Sequence, residues 1–242
     1  MAVIYVTSIY KIYDNDYTDT LLERVRTLPV SVHLFCDPQD AEKAEALPNV
    51  TPIYKPLYTF ATYNTLVKTS QLPRIRNPEK DTKLYMILMN MKPECLELAR
   101  LKTYANHYVW IDAGIGKILS SPSVLEAACK RLTAPLRDDA LFIPGCWFQQ
   151  PVDHDRIHWR FCGGFCIVPH DYVTQFFIRS LRMCAQIAEE EDKAVWEVNV
   201  WASIEHLLPI QWAPGDHTDA IFRGIDNYVE NSSFSTTLRL IT

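Results

Sequence analysis

The chain alternates between short apolar runs, typical of buried strands, and longer segments whose apolar residues recur at helical spacing. Residues 2–10 (AVIYVTSIY) are mostly β-branched or aromatic, and they predict a buried first strand. In residues 16–28 the leucines and valine recur with the period of a helix, which Pro29 ends. Residues 30–37 and 50–55 repeat the strand pattern on either side of an acidic helical segment. This order, strand, helix, strand, helix, strand, predicts a parallel sheet with helices on its faces.

The remainder of the chain continues the pattern less regularly. Residues 82–105 have helical spacing, and Pro93 divides them into two helices. Residues 107–114 again predict a strand, and beyond residue 140 two strand-like runs and two amphipathic helices follow. We therefore predict a single α/β domain over residues 1–242, with a mainly parallel central sheet flanked by helices.

Composition narrows the class of protein. Hydrophobic residues make up 48% of the chain and charged residues 22%, the balance of a soluble globular protein with a substantial core. The formal net charge of −5 argues against a general nucleic-acid binder, which usually carries a large basic patch. The chain opens without a signal-peptide pattern, and no apolar stretch approaches the ~20 residues needed to span a bilayer. We therefore expect a cytoplasmic protein without a transmembrane segment and without a nucleic-acid partner.

The cysteines also bear on the cellular location, though more weakly than the composition does. There are seven, an odd number, and no pair has the C-x-x-C spacing of a zinc or redox motif. Cys162 and Cys166 lie in an apolar run, so we expect buried free thiols there. Free thiols favour a reducing compartment.

Residues 107–117 (HYVWIDAGIGK) contain the first candidate for chemistry. An aromatic and apolar run ends there in Asp112, and two glycines and Lys117 follow. Ligands of parallel α/β sheets bind beyond the carboxyl ends of the strands. Mg²⁺ and Mn²⁺ usually take one or two protein carboxylates there and complete their shell with substrate phosphates. Asp112 is therefore a candidate metal ligand, and the alternative is an aspartate that only caps its own turn.

Three further segments carry candidate site residues, each with a plainer alternative. Gly163 and Gly164, within an apolar run, predict a bulge or the close approach of a ligand; the alternative is a strand kink without a ligand. Glu197, in VWEVNVW, lies near the start of a helix and could act as a base, although a solvated surface glutamate is the commoner case. His217, in a Pro-Gly-Asp-His turn, could complete a metal site or lie on the surface.

With these segments in order, the chain resembles a glycosyltransferase of the GT-A type, and in particular the HtrL/YibB-like family of bacteria and large DNA viruses. The shared features are a VTSIY strand, YMILMNMKPECLELA, YVWIDAG, CGGF, the tryptophan-rich VWEVNVW helix and a late GDH. The H-E-x-x-H, Walker A, G-x-G-x-x-G and G-x-S-x-G motifs are absent from the sequence, which disfavours dehydrogenases, P-loop kinases and α/β-hydrolases.

The resemblance implies a function and a set of site residues. It implies that residues 1–117 bind a nucleotide-sugar donor, UDP- or another nucleoside diphosphate sugar, and that residues 118–242 bind the acceptor, a glycan or other hydroxyl compound. Mn²⁺ or Mg²⁺ is the implied cofactor, with Asp112 and His217 as ligands, because the second carboxylate of the family's D-x-D motif is absent here. Glu197 is the implied catalytic base of an inverting transfer. The implied donor-binding residues are Thr7, Tyr63, Lys68, Arg76, Lys92, Asp112, Ala113, Gly114, Gly163 and Gly164.

The resemblance also implies a cytoplasmic location, in a bacterium or a virus-infected host cell. Two other classes of function stay open. One is a protein that binds a nucleotide sugar at a degenerate site, which the missing carboxylate suggests. The other is a metal-dependent nucleotidyltransferase or hydrolase on a similar sheet. The sequence identifies neither the sugar nor the acceptor.

Overall fold

The strands assemble into one sheet, which the computed structural model describes within residues 2–12 and 17–229. The strands are β1 (Val3–Ile9), β2 (Val32–Cys36), β3 (Val50–Tyr54), β4 (His107–Ile111), β5 (Leu141–Gly145), β6 (Phe165–Pro169) and β7 (Ile210–Pro214). Their order in the sheet is β3-β2-β1-β4-β6-β5-β7. Strand β6 is antiparallel to β4 and β5, and the other neighbouring pairs are parallel. The prediction of one α/β domain with a mainly parallel sheet is confirmed.

Helices cover both faces of this sheet. They are α1 (Thr18–Arg26), α2 (Ala41–Glu45), α3 (Ala61–Leu66), α4 (Lys83–Asn90), α5 (Lys92–Lys102), α6 (Pro122–Arg131), α7 (His170–Glu191), α8 (Glu197–Ile204) and α9 (Ile225–Tyr228). Buried side chains of α3, α4, α5, α7 and α8 form one core with one face of the sheet. Those of α1, α2, α6 and α9 form a second core on the opposite face. Strands β4, β5 and β6 are buried over their whole length, which explains why these segments are largely apolar. The edge strands β3 and β7 are only partly buried.

The order of the strands fixes where a crevice can form. From β1 the chain moves outward through β2 to β3, and then returns to place β4 on the other side of β1. Strands β1 and β4 pair in parallel, with Val6 opposite Trp110. The loops after their carboxyl ends therefore leave the sheet in opposite directions, and ligands of open α/β sheets bind at such a switch point. Asp112 follows β4 at this place.

The structure bears on two local predictions, one at Pro93 and one at the glycine pair 163–164. Pro93 does divide residues 82–105, and α5 begins one residue before it, at Lys92. The glycine pair does not interrupt a strand, however: Gly163 and Gly164 precede β6, which begins at Phe165. A bulge inside β6, one of the two predicted explanations for the pair, is therefore not found, because the strand begins only after the glycines. The other explanation, the close approach of a ligand, stays a prediction. None of the helices in the described ranges has the length and apolar character that crossing a bilayer requires.

Candidate active site at the end of strand β4

Asp112 is held in a defined orientation just beyond β4. Its backbone N–H donates to the carbonyl of Gly164 at 3.0 Å. The indole Nε1 of Trp110 donates to Asp112 Oδ1 at 2.6 Å. A side chain from the end of strand β4 therefore positions the carboxylate. The side chain of Asp112 is 32% exposed. Asp112 is thus a fixed carboxylate with an accessible edge at the switch point, not a residue that only closes its own turn.

Lys92 lies behind Asp112 and is almost fully enclosed. Its side chain is 1% exposed. Nζ donates to the carbonyl of Gly163 and to Glu197 Oε1, both at 2.8 Å, and lies 3.1 Å from Asp112 Oδ1. Burial opposes the charged form, but the carboxylates of Asp112 and Glu197 outweigh it and raise the pKa of Lys92 above its ordinary value. Lys92 is therefore a buried cation between two anions.

This arrangement corrects the role expected of Lys92. An ammonium group has three hydrogen-bond donors, and Gly163, Glu197 and Asp112 account for all three. In this structure Lys92 does not face a phosphate across the crevice. It links the starts of α5 and α8 to the end of β4, and acts on the crevice through Asp112.

Glu197 is the first residue of α8 and is also buried. The common expectation for a helical glutamate, a solvated side chain, does not hold here. Its Oε1 accepts from Lys92, while Oε2 accepts no hydrogen bond from the described residues. Glu197 therefore combines an oxygen anchored by Lys92 with a second oxygen that is not engaged within the described structure.

Gly163 is required by this packing, and Gly164 lies beside Asp112. A Cβ on Gly163 would lie 2.0 Å from Glu197 Oε1 and 3.3 Å from Lys92 Nζ, so a side chain there would collide with the ion pair. A Cβ on Gly164 would lie 3.5 Å from Asp112 Oδ2. Both glycines therefore lie beside the charged groups at the end of β4, and the close approach of a ligand there stays a prediction. The structure thus brings together Asp112, Gly163, Gly164, Lys92 and Glu197, from segments far apart in the sequence.

Replacing Gly163 with alanine is expected to destabilise the protein by about 1–3 kcal/mol, because the new methyl group must displace the Glu197 carboxylate from Lys92. Gly116→Ala is the matched control, since a Cβ there would meet nothing within 4 Å. Urea unfolding of the two variants measures the difference. Equal stabilities of Gly163→Ala and Gly116→Ala would contradict the described packing.

The other predicted donor-binding residues are dispersed. Thr7 is fully buried within β1, and its Oγ1 has no hydrogen-bond partner among the residues that the structure describes. It therefore belongs to the interior of the sheet, and the expectation that it contacts a nucleotide needs correction. Tyr63 is half-buried on α3, Lys68 is exposed, and Arg76 donates to the carbonyl of Pro73. No described contact joins these three side chains to Asp112, so their donor-binding role stays a prediction.

The residues that follow Asp112 place other cations near the crevice. Ala113 is buried, whereas a Cβ on Gly114 would meet only Arg24 Nη1, at 3.9 Å. Lys117 lies over the ring of Tyr17, with Nζ 4.7 Å from its centroid, and Arg24 lies over the same ring at 5.8 Å. Arg24 was not predicted from the sequence, because a basic residue on an amphipathic helix gives no signal of its own. Lys117 follows Asp112 by five positions, but the meaning of that spacing depends on the fold.

His217 lies in a different group of side chains. Its imidazole packs edge-on against Trp159, with ring centroids 4.2 Å apart. One ligand atom each of Cys146, Cys162 and His217 lies within 4.8 Å of the other two. The hydrogen bond from Cys162, and then the contact with His217, lower the pKa of the Cys146 thiol to about 5. No described contact joins His217 to Asp112, so their pairing at one metal stays a prediction.

Comparisons with known proteins found similarity among solved structures, at low identity. No family model matches the chain, and no curated protein matches its sequence. Among solved structures, the bifunctional IspDF of Campylobacter jejuni covers 91% of this chain at 9% identity, with a TM-score of 0.44. The chain spans about half of that protein, 51% of its length.

Two further solved structures resemble the chain to a similar degree. A CMP:2-keto-3-deoxy-manno-octonic acid synthetase, complexed with CTP, covers 88% of this chain at 9% identity, with 90% of its own length covered and a TM-score of 0.43. A glycosyltransferase involved in the glycosylation of the major capsid of PBCV-1 covers 89% at 8% identity, with 82% of its own length covered and a TM-score of 0.41. At such low identities and TM-scores, these likenesses carry no information on which residues bind or react.

Proposed function

We propose that the protein is a glycosyltransferase, which moves a sugar from a nucleoside diphosphate sugar to a hydroxyl of a glycan or other acceptor. One observation carries the proposal: Asp112, a fixed and partly exposed carboxylate, lies at the switch point of an open α/β sheet, next to two glycines. The resemblance of the sequence to GT-A enzymes supports a nucleotide sugar as the donor at that position.

The donor set at Asp112 fits a hard divalent cation such as Mn²⁺ or Mg²⁺. Mg²⁺ usually takes only one or two protein carboxylates and keeps waters or substrate phosphates as its other ligands. Asp112 offers one carboxylate with an accessible edge, which is sufficient for such a site. When bound, the cation would supply Lewis-acid stabilisation of the departing diphosphate. Arg24 and Lys117, close to the segment after Asp112, are the cations we expect to face the same negative charge.

Asp112 and Glu197 have different roles in the proposed reaction: Asp112 would hold the cation, and Glu197 would act as the base. The acceptor oxygen attacks the anomeric carbon, the bond from that carbon to the diphosphate oxygen breaks, and the electron pair leaves with the nucleoside diphosphate. Glu197 Oε2 takes the acceptor's proton, while Lys92 holds Oε1. Attack on the face opposite the departing diphosphate inverts the configuration of the sugar.

The experiment is an assay of donor turnover. The protein is incubated with a panel of nucleoside diphosphate sugars and Mn²⁺, and release of the nucleoside diphosphate is measured with and without candidate acceptors. We expect release from one class of donor. Release of pyrophosphate from a nucleoside triphosphate plus a sugar phosphate would instead identify a nucleotidyltransferase. Thermal stabilisation by a nucleotide sugar without turnover would identify a binding protein.

Replacing Glu197 with glutamine is expected to lower kcat by roughly 10²-fold while the affinity for the donor changes little. Glutamine keeps the shape of the side chain and can still accept from Lys92 through its carbonyl oxygen, but it cannot take a proton. Glu205→Gln is a matched control, because Glu205 is also enclosed and pairs with a cation, Arg160 at 2.5 Å. Near-normal turnover in Glu197→Gln, with the fold intact by circular dichroism, would remove Glu197 from the chemical step.

A further inference from the structure

Three segments meet beside the glycine turn, and each supplies a side chain that binds soft metals. Cys146 follows β5, Cys162 precedes Gly163, and His217 follows β7. Cys146 Sγ and Cys162 Sγ lie 3.5 Å apart, and the three ligand atoms lie within 4.8 Å of one another. From these positions we propose a zinc-binding site formed by Cys146, Cys162 and His217.

The distances suit a tetrahedral zinc ion. Zinc–sulfur bonds of about 2.3 Å and a zinc–nitrogen bond of about 2.0 Å, at tetrahedral angles, place two sulfurs about 3.8 Å apart and sulfur and nitrogen about 3.5 Å apart. The observed sulfur–sulfur distance differs from this by a few tenths of an ångström. The histidine nitrogen lies within 4.8 Å of both sulfurs, so it must approach them by at most about 1.3 Å to reach tetrahedral geometry.

The backbone holds the three segments together independently of any ion. The N–H of Cys162 donates to the carbonyl of Pro144 in β5, at 2.7 Å. The N–H of Cys146 donates to the carbonyl of Trp159, and that of Gly215 donates to the carbonyl of Gly145. Because these bonds fix the two cysteine backbones and the start of the His217 loop, little conformational entropy is lost when the site closes on a metal.

Burial decides the type of site. Cys162 is buried, Cys146 is half-buried, and His217 is exposed, so the group faces solvent on one side. Three protein ligands with one open side leave the fourth position to water or another small ligand. Two thiolates also neutralise the charge of the zinc ion. Thiolate ligands select zinc, whereas the oxygen ligand at Asp112 suits Mn²⁺ or Mg²⁺, so the two sites differ in the metal they take.

The zinc site lies next to the candidate active site in the chain. Cys162 is bonded to Gly163, whose carbonyl accepts from Lys92. An ion at Cys162 would therefore be held one residue before the glycine that Lys92 bonds. The inference does not rest on sugar transfer, because its evidence is the group of ligands alone.

The experiment measures metal binding directly, with the whole chain kept reduced by a phosphine that does not chelate. The protein is stripped with a chelator, titrated with Zn²⁺ or Co²⁺, and analysed for bound metal by mass spectrometry. We expect one equivalent of zinc, a cobalt–thiolate charge-transfer absorption, and a rise in Tm of about 5–10 °C at a hundredfold excess of zinc over Kd. Less than a tenth of an equivalent, or cobalt bound without thiolate absorption, would overturn the site.

Variants assign the ligands. His217→Ala is expected to weaken zinc binding by 10-fold or more, and His206→Ala, at another exposed histidine, is the matched control with unchanged binding. Cys146→Ser serves as the second variant, and loss of the charge-transfer absorption is its readout. Unchanged zinc affinity in both His217→Ala and Cys146→Ser, with both folded by circular dichroism, would overturn the assignment.

Discussion

Lys92→Met is expected to lower the free energy of unfolding by roughly 3–5 kcal/mol, the usual cost of removing one partner from a buried ion pair. Methionine fills a similar volume but leaves Glu197 buried without its cation, and leaves Asp112 with one charge partner fewer. For a chain of this length the expected fall in Tm is on the order of 10 °C. Chemical denaturation and thermal melts measure both quantities.

The control variant also removes one positive charge, but from an ion pair on the protein surface. Arg26 lies 3.7 Å from Glu23 on the surface of α1, and Arg26→Met is expected to cost at most about 1 kcal/mol. A double variant, Lys92→Met with Glu197→Gln, should recover part of the loss, because it removes the unpaired charge. A Lys92→Met protein as stable as Arg26→Met would contradict the buried pair.

The pH dependence of this effect follows from the raised pKa of Lys92. A group whose pKa is higher in the folded state contributes stability that is complete below its unfolded value, 10.5, and is lost as pH rises through the folded value. The difference in stability between the wild type and Lys92→Met should therefore be constant from about pH 7 to pH 9. A difference that shrinks within that range would mean that the ammonium is not held as described.

Asp112→Asn is expected to lower donor turnover by roughly 10³-fold or more, because a metal's stabilisation of a departing diphosphate amounts to several kcal/mol. The amide can still accept from Trp110, and Lys92 keeps Glu197 and Gly163, so the fold should survive. The rate of nucleoside diphosphate release at saturating donor and Mn²⁺ is the measurement.

Asp226→Asn is the control for this prediction. Asp226 forms an exposed pair with Arg131 at 3.4 Å, and its replacement should leave turnover within a factor of about two. If Asp112→Asn keeps turnover within tenfold of the wild type, the crevice carboxylate does not act in the reaction as proposed.

The sheet could be predicted because its signal is local. Strands buried on both faces are largely apolar runs, and β1, β2 and β4 have that pattern. Strand β3, at the edge of the sheet, is only partly buried, but its β-branched and aromatic residues gave the same prediction. Their order was not predicted, because which strand neighbours which depends on packing between segments distant in the chain. The position of Asp112 followed from the end of an apolar run, and the structure agrees with it.

The roles of Lys92 and Glu197 depend on contacts that local sequence does not encode. Lysine and glutamate are mostly exposed in proteins, so their patterns alone indicate surface residues. Here the start of α5 meets the start of α8, 105 positions later, and each charge is buried against the other. The Cys146–Cys162 contact was missed for the same reason, since a spacing of 16 residues matches no short motif.

The measurement that tests the central claim most directly is a calorimetric titration of a nucleoside diphosphate, with and without Mn²⁺, into the wild type and Asp112→Asn. If Asp112 holds a metal that bridges to the diphosphate, Mn²⁺ should raise the affinity of the wild type by at least about tenfold and that of Asp112→Asn not at all. Without Mn²⁺ the variant should bind as well as the wild type or better, because a carboxylate repels the diphosphate. The same gain from Mn²⁺ in both proteins, or no binding by either, would contradict a metal-assisted nucleotide-sugar site at the end of β4.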